Sequence, residues 1–362
     1  MIPFLSLTPG PDAAQLRSAI ERVVTRGWFV LGPELEAFEQ EFARATGAAH
    51  AVGVNTGTDA LALALRVHGI GAGDEVITSP LSAAYSALAI MMTGARPVFA
   101  DIDVDRLTLD PRAAEAAITP RTRAILPVHL YGQPADMPAL TQIAERHGLL
   151  IVEDCCQAHL ATCGGRPVGC FGAAAAYSFY PTKNLGALGD GGAITVADAA
   201  TAARLRRLRN GGQTDRYQHA EFGVNSRLDE MQAAILRERL VWLPDWTRDR
   251  RARAARYRSG LGAAPIVVPR EHDAGHVYHL FPILSGNRGA LQAHLKAHGI
   301  ETLIHYPVPI SRQPALASER PASCPIAERV CAEVLSLPLH PGLPLDAIDE
   351  VAAAVRAFDP AA

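Results

Sequence analysis

Cysteine is scarce in this chain, with six in 362 residues. Cys155, Cys156, Cys163, Cys170, Cys324 and Cys331 are too few and too scattered for a disulfide scaffold of this size. The first four cluster, which raises zinc. No CxxC pair is present, however, and the adjacent Cys155 and Cys156 suit tetrahedral ligation poorly. Free thiols without a metal site are the expectation. Charge of one sign is also missing. The net charge is −3, which leaves no nucleic-acid footprint on the whole protein. No apolar run approaches a membrane span. Met1-Ile2-Pro3-Phe4-Leu5 lacks the basic start and apolar stretch of a signal peptide, so a cytoplasmic location is expected. Internal repeats are absent. What remains is an ordinary globular composition, 49% hydrophobic and 20% charged, long enough for a large core and two domains.

Apolar β-branched runs alternate with alanine- and leucine-rich stretches. Residues 51–54, 75–78, 97–100, 124–128 and 149–152 read as strands. Helices are predicted after Thr58, over 82–92, and over 33–42, where Leu35, Phe38 and Phe42 form one stripe between Pro33 and Gly47. This alternation predicts an α/β fold with a mostly parallel sheet flanked by helices. A helix from Leu228 to Leu240 is expected to be interrupted by Pro244, and an arginine-rich helix to run over 248–258. Beyond Gly260 the texture shifts to short strands and proline. The predicted domains are 1–245 and a smaller α/β unit, 246–362.

Three features point at one ligand. The apolar run 149–152 ends in Glu153-Asp154. Lys183 follows in Tyr177-Ser178-Phe179-Tyr180-Pro181-Thr182-Lys183, ahead of the glycine-rich 189–192. Gly57-Thr58 opens a helix after a strand, where backbone N–H groups favour an anion. A strand-end acid, a desolvated lysine and an anion cradle suit pyridoxal phosphate: acid at the pyridine nitrogen, lysine at the carbonyl, Ser178 and the helix start at the phosphate. Taken singly, Asp154 could be a turn or cap residue, and Lys183 a surface lysine.

The chain resembles the DegT/DnrJ/EryC1/StrS family of sugar aminotransferases, fold-type-I pyridoxal-phosphate enzymes. The resemblance rests on residues 27–32, 55–61, 73–77, 94–99, 153–159, 178–192, 223–228 and 305–307. It implies that Lys183 is the lysine bonded to the cofactor and that Asp154 faces its ring nitrogen. It further implies that Gln157 bonds the ring hydroxyl, that Gly57, Thr58 and Ser178 hold the phosphate, and that Asn225 reaches the phosphate of a neighbouring subunit. The active site would then be shared in a homodimer. An aromatic after Pro80 usually stacks on the ring in this family. Here the segment 81–85 is shifted, which leaves Tyr85 as the candidate, with a core tyrosine as the alternative.

The family's reaction takes an amino group from glutamate, stores it as pyridoxamine phosphate and delivers it to a keto group of a nucleotide-linked sugar. The segment His305-Tyr306-Pro307-Val308-Pro309 is similar to members acting at C3, although Ser311 stands where those often carry histidine. His305, Tyr306, Tyr180, His159, Trp28 and Phe29 are candidate sugar contacts; each could equally be packing. Amination at C4, a cyclitol acceptor, a sugar dehydratase and a non-catalytic regulator are the alternatives. Dehydratase relatives replace the lysine with histidine, and Lys183 stands here. The remaining arginines, at 204–209 and 248–258, read as solvated helix faces paired with acids.

Overall fold

The computed structural model describes residues 1–262, 264–316 and 323–360. Seven strands build the central sheet: β1 (His50–Val54), β2 (Glu75–Thr78), β3 (Arg96–Phe99), β4 (Thr122–Leu126), β5 (Leu150–Asp154), β6 (Ala174–Ser178) and β7 (Gly192–Val196). Their spatial order is β1-β7-β6-β5-β4-β2-β3. Strands β2 to β6 pair in parallel. Strand β7 runs antiparallel to both β6 and β1. Alternate residues of a strand enter opposite clusters: Val152, Ala174 and Ala176 on one side, Ile151, Ala175 and Tyr177 on the other. Burial on both faces explains why these strands read as unbroken apolar runs.

Helices α1 (Ala13–Arg26), α2 (Pro33–Thr46), α3 (Gly57–Val67), α4 (Tyr85–Met92), α5 (Pro111–Ala116), α6 (Met137–His147) and α7 (Ala199–Leu208) accompany the sheet. Helix α2 starts on Pro33 and stops at Gly47 in the left-handed conformation, φ 72°. Helix α4 starts at Tyr85 rather than Ser82, because residues 79–84 are taken up by a turn in which Ser79 Oγ accepts from Leu81 N–H at 3.1 Å.

The expected break at Pro244 does not occur. Helix α8 runs from Glu230 to Gly260 as one 31-residue element with Pro244 inside it. Proline removes only the bond its own N–H would give to the carbonyl four residues back. The packing of Leu240 and Leu243 into the main core, and of Ala254 and Tyr257 into the C-terminal one, carries the helix past it. The boundary expected between residues 245 and 246 therefore falls within a continuous helix. The C-terminal core gathers Ala254, Tyr257, β8 (Phe281–Leu284), β9 (Val334–Leu337), α9 (Arg288–Ala297) and α11 (Leu345–Arg356), and also Ile2 from the other end of the chain. Helix α10 (Pro325–Glu333) instead turns Ala327, Val330 and Cys331 toward the main core.

The start of α8 finishes the start of α2. Glu230, fully buried, accepts from the N–H groups of Gly32, Glu34 and Leu35 at 2.9, 2.9 and 2.8 Å. Those are first-turn donors that α2 cannot satisfy itself. Glu230→Ala is expected to cost on the order of 3 kcal/mol of unfolding free energy, since three buried donors lose a charged acceptor. Chemical denaturation with an unchanged m-value would show it; a loss below ~1 kcal/mol would mean that water replaces the carboxylate.

Candidate active site

Strand β5 delivers Asp154 to the carboxyl-end edge of the sheet, where α/β folds bind ligands. Its carboxylate is buried and fixed by two donors. Ser86 Oγ donates to Oδ2 at 2.9 Å, and the N–H of Cys156 donates to Oδ1 at 3.1 Å. Strand β6 ends at Ser178, and the loop to antiparallel β7 carries Lys183. That loop is closed by its own backbone: Phe179 N–H to Gly191 O at 2.8 Å, Ala187 N–H to Phe179 O at 2.7 Å, and Lys183 N–H to Tyr180 O at 2.8 Å.

Lys183 and Asp154 line one cavity of about 600 Å³. Burial lowers the Lys183 pKa, and the neighbouring Cys156 and Asp154 pull it partly back. The result is an amine more easily freed of its proton than an ordinary lysine. Ser178, Gly57 and Thr58 line the same cavity. Thr56 caps α3 by accepting from Asp59 N–H at 3.0 Å, while the N–H groups of Gly57 and Thr58 have no partner among the described residues. A Cβ on Gly57 would sit 2.7 Å from Ser178 Cβ, and one on Gly192 would sit 2.3 Å from Thr56 O. Glycine at both places lets β6, β7 and the start of α3 meet.

Gln157 and Tyr306 form a polar wall. Gln157 Oε1 accepts from Tyr131 N–H at 2.7 Å, and its Nε2 donates to the Tyr306 hydroxyl at 3.1 Å. Each keeps a proton to offer: the second N–H of the amide, and the O–H of Tyr306, whose pKa burial pushes up to about 12. Tyr85 and Tyr180 line the same cavity and are largely exposed.

Five candidates lie elsewhere. His159 is fully buried against the rings of Tyr177 and Phe179, at 5.7 and 5.8 Å, and neither ring nitrogen finds a partner. Burial drives its pKa to about 3, so it is a neutral core residue and not a sugar contact. Trp28 and Phe29 are exposed at 54% and 52%, and Trp28 borders a different cavity beside α2; Phe29 O is held by Glu230 N–H, and the next residue, Val30, bridges Asp229. His305 Nδ1 pairs with Ser336 Oγ at 3.0 Å, and its ring stacks on Phe4, which turns it into a neighbouring cavity. Asn225 is exposed and does not line its own chain's cavity.

The sequence reading missed Ser86, Cys156 and Asp190, all in the cavity wall. Ser86 directly follows Tyr85 in the first turn of α4, and no spacing in the sequence set it apart. It also passed over the scarcity of lysine. Of 34 basic residues only Lys183 and Lys296 are lysine.

The cysteine cluster does not converge, and all six thiols are free. His129, Glu153 and Cys155 do bring ligand-type atoms within 4.8 Å of one another. Glu153, however, accepts from the N–H groups of Gly169, Phe171 and Gly172 at 2.7, 2.8 and 2.8 Å and faces His129 Nε2 at 3.2 Å. These bonds pin the 169–172 turn to β5.

A mostly parallel sheet, with a buried acid at one strand end and a lysine on the next hairpin beside a capped helix start, defines a fold-type-I pyridoxal-phosphate transferase. The chain belongs to the DegT/DnrJ/EryC1/StrS aminotransferase family, whose profile matches residues 12–356. It is 53% identical to dTDP-3-amino-3,4,6-trideoxy-alpha-D-glucose transaminase of Streptomyces venezuelae over 94% of this chain and 92% of that one. Its structure is similar to that of S. venezuelae DesV in complex with a ketimine intermediate, with TM-score 0.95, 51% identity and 99% of both chains covered. It is also similar to NtdA of Bacillus subtilis with bound cofactor PMP, with TM-score 0.92, 30% identity, and 98% of this chain and 84% of that one covered. Among the described residues no helix is long and apolar enough to cross a membrane.

The lowered Lys183 pKa has a measurable consequence for the cofactor-free protein. Between that pKa and the ordinary value near ~10.4, the unfolded chain binds one proton more than the folded one, so stability rises with pH. Lys183→Met should therefore melt above the cofactor-free wild type at neutral pH, and the gap should close as pH approaches ~10.4. A gap that ignores pH would show that the amine is not desolvated.

Proposed function

We propose that the protein is a pyridoxal-phosphate-dependent aminotransferase that moves an amino group from glutamate to the C3 keto group of a nucleotide-linked 6-deoxyhexose. The observation that carries this reading is the joint presence of Lys183, Asp154 and the start of α3 in one cavity. The C3 choice is supported by the 3-amino sugar in the name of the S. venezuelae transaminase.

The residues present fit the cofactor. Asp154, with both oxygens already oriented by Ser86 and Cys156, would sit at the ring nitrogen. Gln157 would offer its free N–H to the ring hydroxyl. Gly57, Thr58 and Ser178 would hold the phosphate through unpartnered backbone donors and a hydroxyl. When bound, the cofactor supplies an electron sink at the carbon that loses its proton. Lys183 would take that proton and return it on the other carbon, for which an amine of lowered pKa is suited. Tyr180 and Tyr306, which line the same cavity, would bond sugar oxygens. Tyr85 is the aromatic nearest in sequence to the family's ring-stacking position. The exposed Asn225 supports a homodimer in which each copy completes its partner's phosphate site.

Adding glutamate to the yellow, cofactor-loaded protein should bleach its visible band as a pyridoxamine band grows. Lys183→Ala should abolish that change while leaving the far-UV spectrum intact. A yellow protein unmoved by glutamate would point to another donor or to elimination chemistry. Asn225→Ala should loosen cofactor retention about tenfold or more, the scale of one hydrogen bond to a charged group. Unchanged retention would refute the shared phosphate site.

A further inference from the structure

Tyr131 holds a backbone conformation that a tyrosine rarely takes. Its φ is 59° and its ψ 5°, in the left-handed region, and the residue is buried. Such an outlier persists only where the surrounding structure holds it, and outliers of this kind cluster at functional sites. The turn that contains it, Leu130–Gly132, is pinned on two sides. His129 N–H donates to Asp154 O at 3.1 Å, which ties the turn to the end of β5. Val277 N–H donates to Gly132 O at 3.0 Å. A Cβ on Gly132, whose φ is 91°, would lie 2.9 Å from His279 N, so the turn also packs tightly on residues 277–279.

From this fixed point Tyr131 gives two hydrogen bonds, one from each of its ends. Its N–H donates to Gln157 Oε1 at 2.7 Å. Its hydroxyl donates to the carbonyl oxygen of His305, a group that can only accept. Burial raises the phenol's pKa well above the ordinary value, so the proton stays in place. Gln157 in turn donates one amide N–H to the Tyr306 hydroxyl at 3.1 Å. The peptide bond from His305 to Tyr306 closes a ring through Tyr131, Gln157 and Tyr306. Each direction in the ring fixes the next. With Oε1 committed to Tyr131, Gln157 turns its NH2 to Tyr306. With its oxygen accepting from that NH2, Tyr306 keeps its own proton for the cavity. On the His305 side the ring has a single support. Among the described residues no other hydrogen bond reaches the backbone of residues 304–308.

We infer that Tyr131 is the positioning residue of the acceptor wall: its N–H fixes Gln157, its hydroxyl fixes Tyr306 through His305, and together they aim the Tyr306 O–H at a sugar oxygen. Tyr131 does not line the cavity of Lys183 and acts through these two partners. The inference rests on the aminotransferase reading above and adds to it the residue that aligns the sugar side. Tyr131→Phe removes the hydroxyl's bond and keeps the N–H bond. It therefore loosens Tyr306 and leaves Gln157 and the cofactor side as they are.

The test uses the cofactor-loaded protein and follows bleaching of its visible band by two amines. One is glutamate. The other is dTDP-3-amino-3,4,6-trideoxy-alpha-D-glucose, the amino sugar in the name of the S. venezuelae transaminase, which runs the acceptor half-reaction backwards. In Tyr131→Phe the half-saturating concentration of the amino sugar should rise about 10-fold, the scale of one neutral hydrogen bond. That of glutamate should stay near the wild-type value, whereas a general loss of structure would raise both. In a Tyr306→Phe background, Tyr131→Phe should add nothing, because the hydroxyl it aims is gone. An unchanged value for the amino sugar, equal rises for both amines, or full additivity with Tyr306→Phe overturns the inference. If Tyr131→Phe does not fold, replacing Tyr131 by 4-aminophenylalanine, a weaker donor in the same place, decides by the same two concentrations. If the amino sugar does not bleach the wild type, the functional reading fails at its acceptor. Crystal structures of the wild type and Tyr131→Phe then judge Tyr131 separately: a displaced Tyr306 ring upholds the inference, and an unmoved one overturns it.

Discussion

The cavity depends on a carboxylate that cannot turn. Asp154 is held at the end of β5 by one hydroxyl and one backbone N–H, on the two different oxygens. Each donor comes from a separate element, Ser86 from α4 and Cys156 from the turn after β5. Its negative charge is therefore fixed in direction as well as place. In a partly desolvated site a fixed charge acts without first having to reorient. The nearby lysine feels it, as the partial recovery of the Lys183 pKa shows. Were Asp154 free to swing, neither the lysine nor a ring nitrogen would meet a defined field.

The hairpin from β6 to β7 supplies the second half of this arrangement. In a wholly parallel sheet the chain would leave β6 by a crossover helix. Here β7 returns antiparallel, and the loop folds on itself through Phe179, Ala187 and Gly191. Lys183 is thus held on a short closed loop over the same sheet edge as Asp154. The two charged residues come from neighbouring strands, so their spacing is set by sheet geometry rather than by long loops.

Much of this was legible in the sequence, and the reasons differ by residue. The strands showed as apolar runs because both faces are buried. Asp154 and Lys183 stood out because a charged residue closing or following such a run must serve something. The start of α3 showed because glycine and threonine precede an alanine-leucine helix. His159 misled, since a polar ring near a motif carries no sign of which way it faces. His159 turned inward among aromatics, where its ring packs as an apolar plate. Pro244 misled because local propensity speaks against a helix that packing on both of its ends sustains.

The Glu230 cap joins two segments far apart in the chain. Because one carboxylate satisfies three donors of α2, the first turn of α2 and the first turn of α8 cannot open separately. In native-state exchange they should behave as a single cooperative unit. The Trp28–Phe29 stretch is bound into that unit through Phe29 O and Glu230 N–H. Its exposed aromatics are then preorganised rather than loose, and any surface that meets them finds its contact already ordered, with little conformational entropy left to lose.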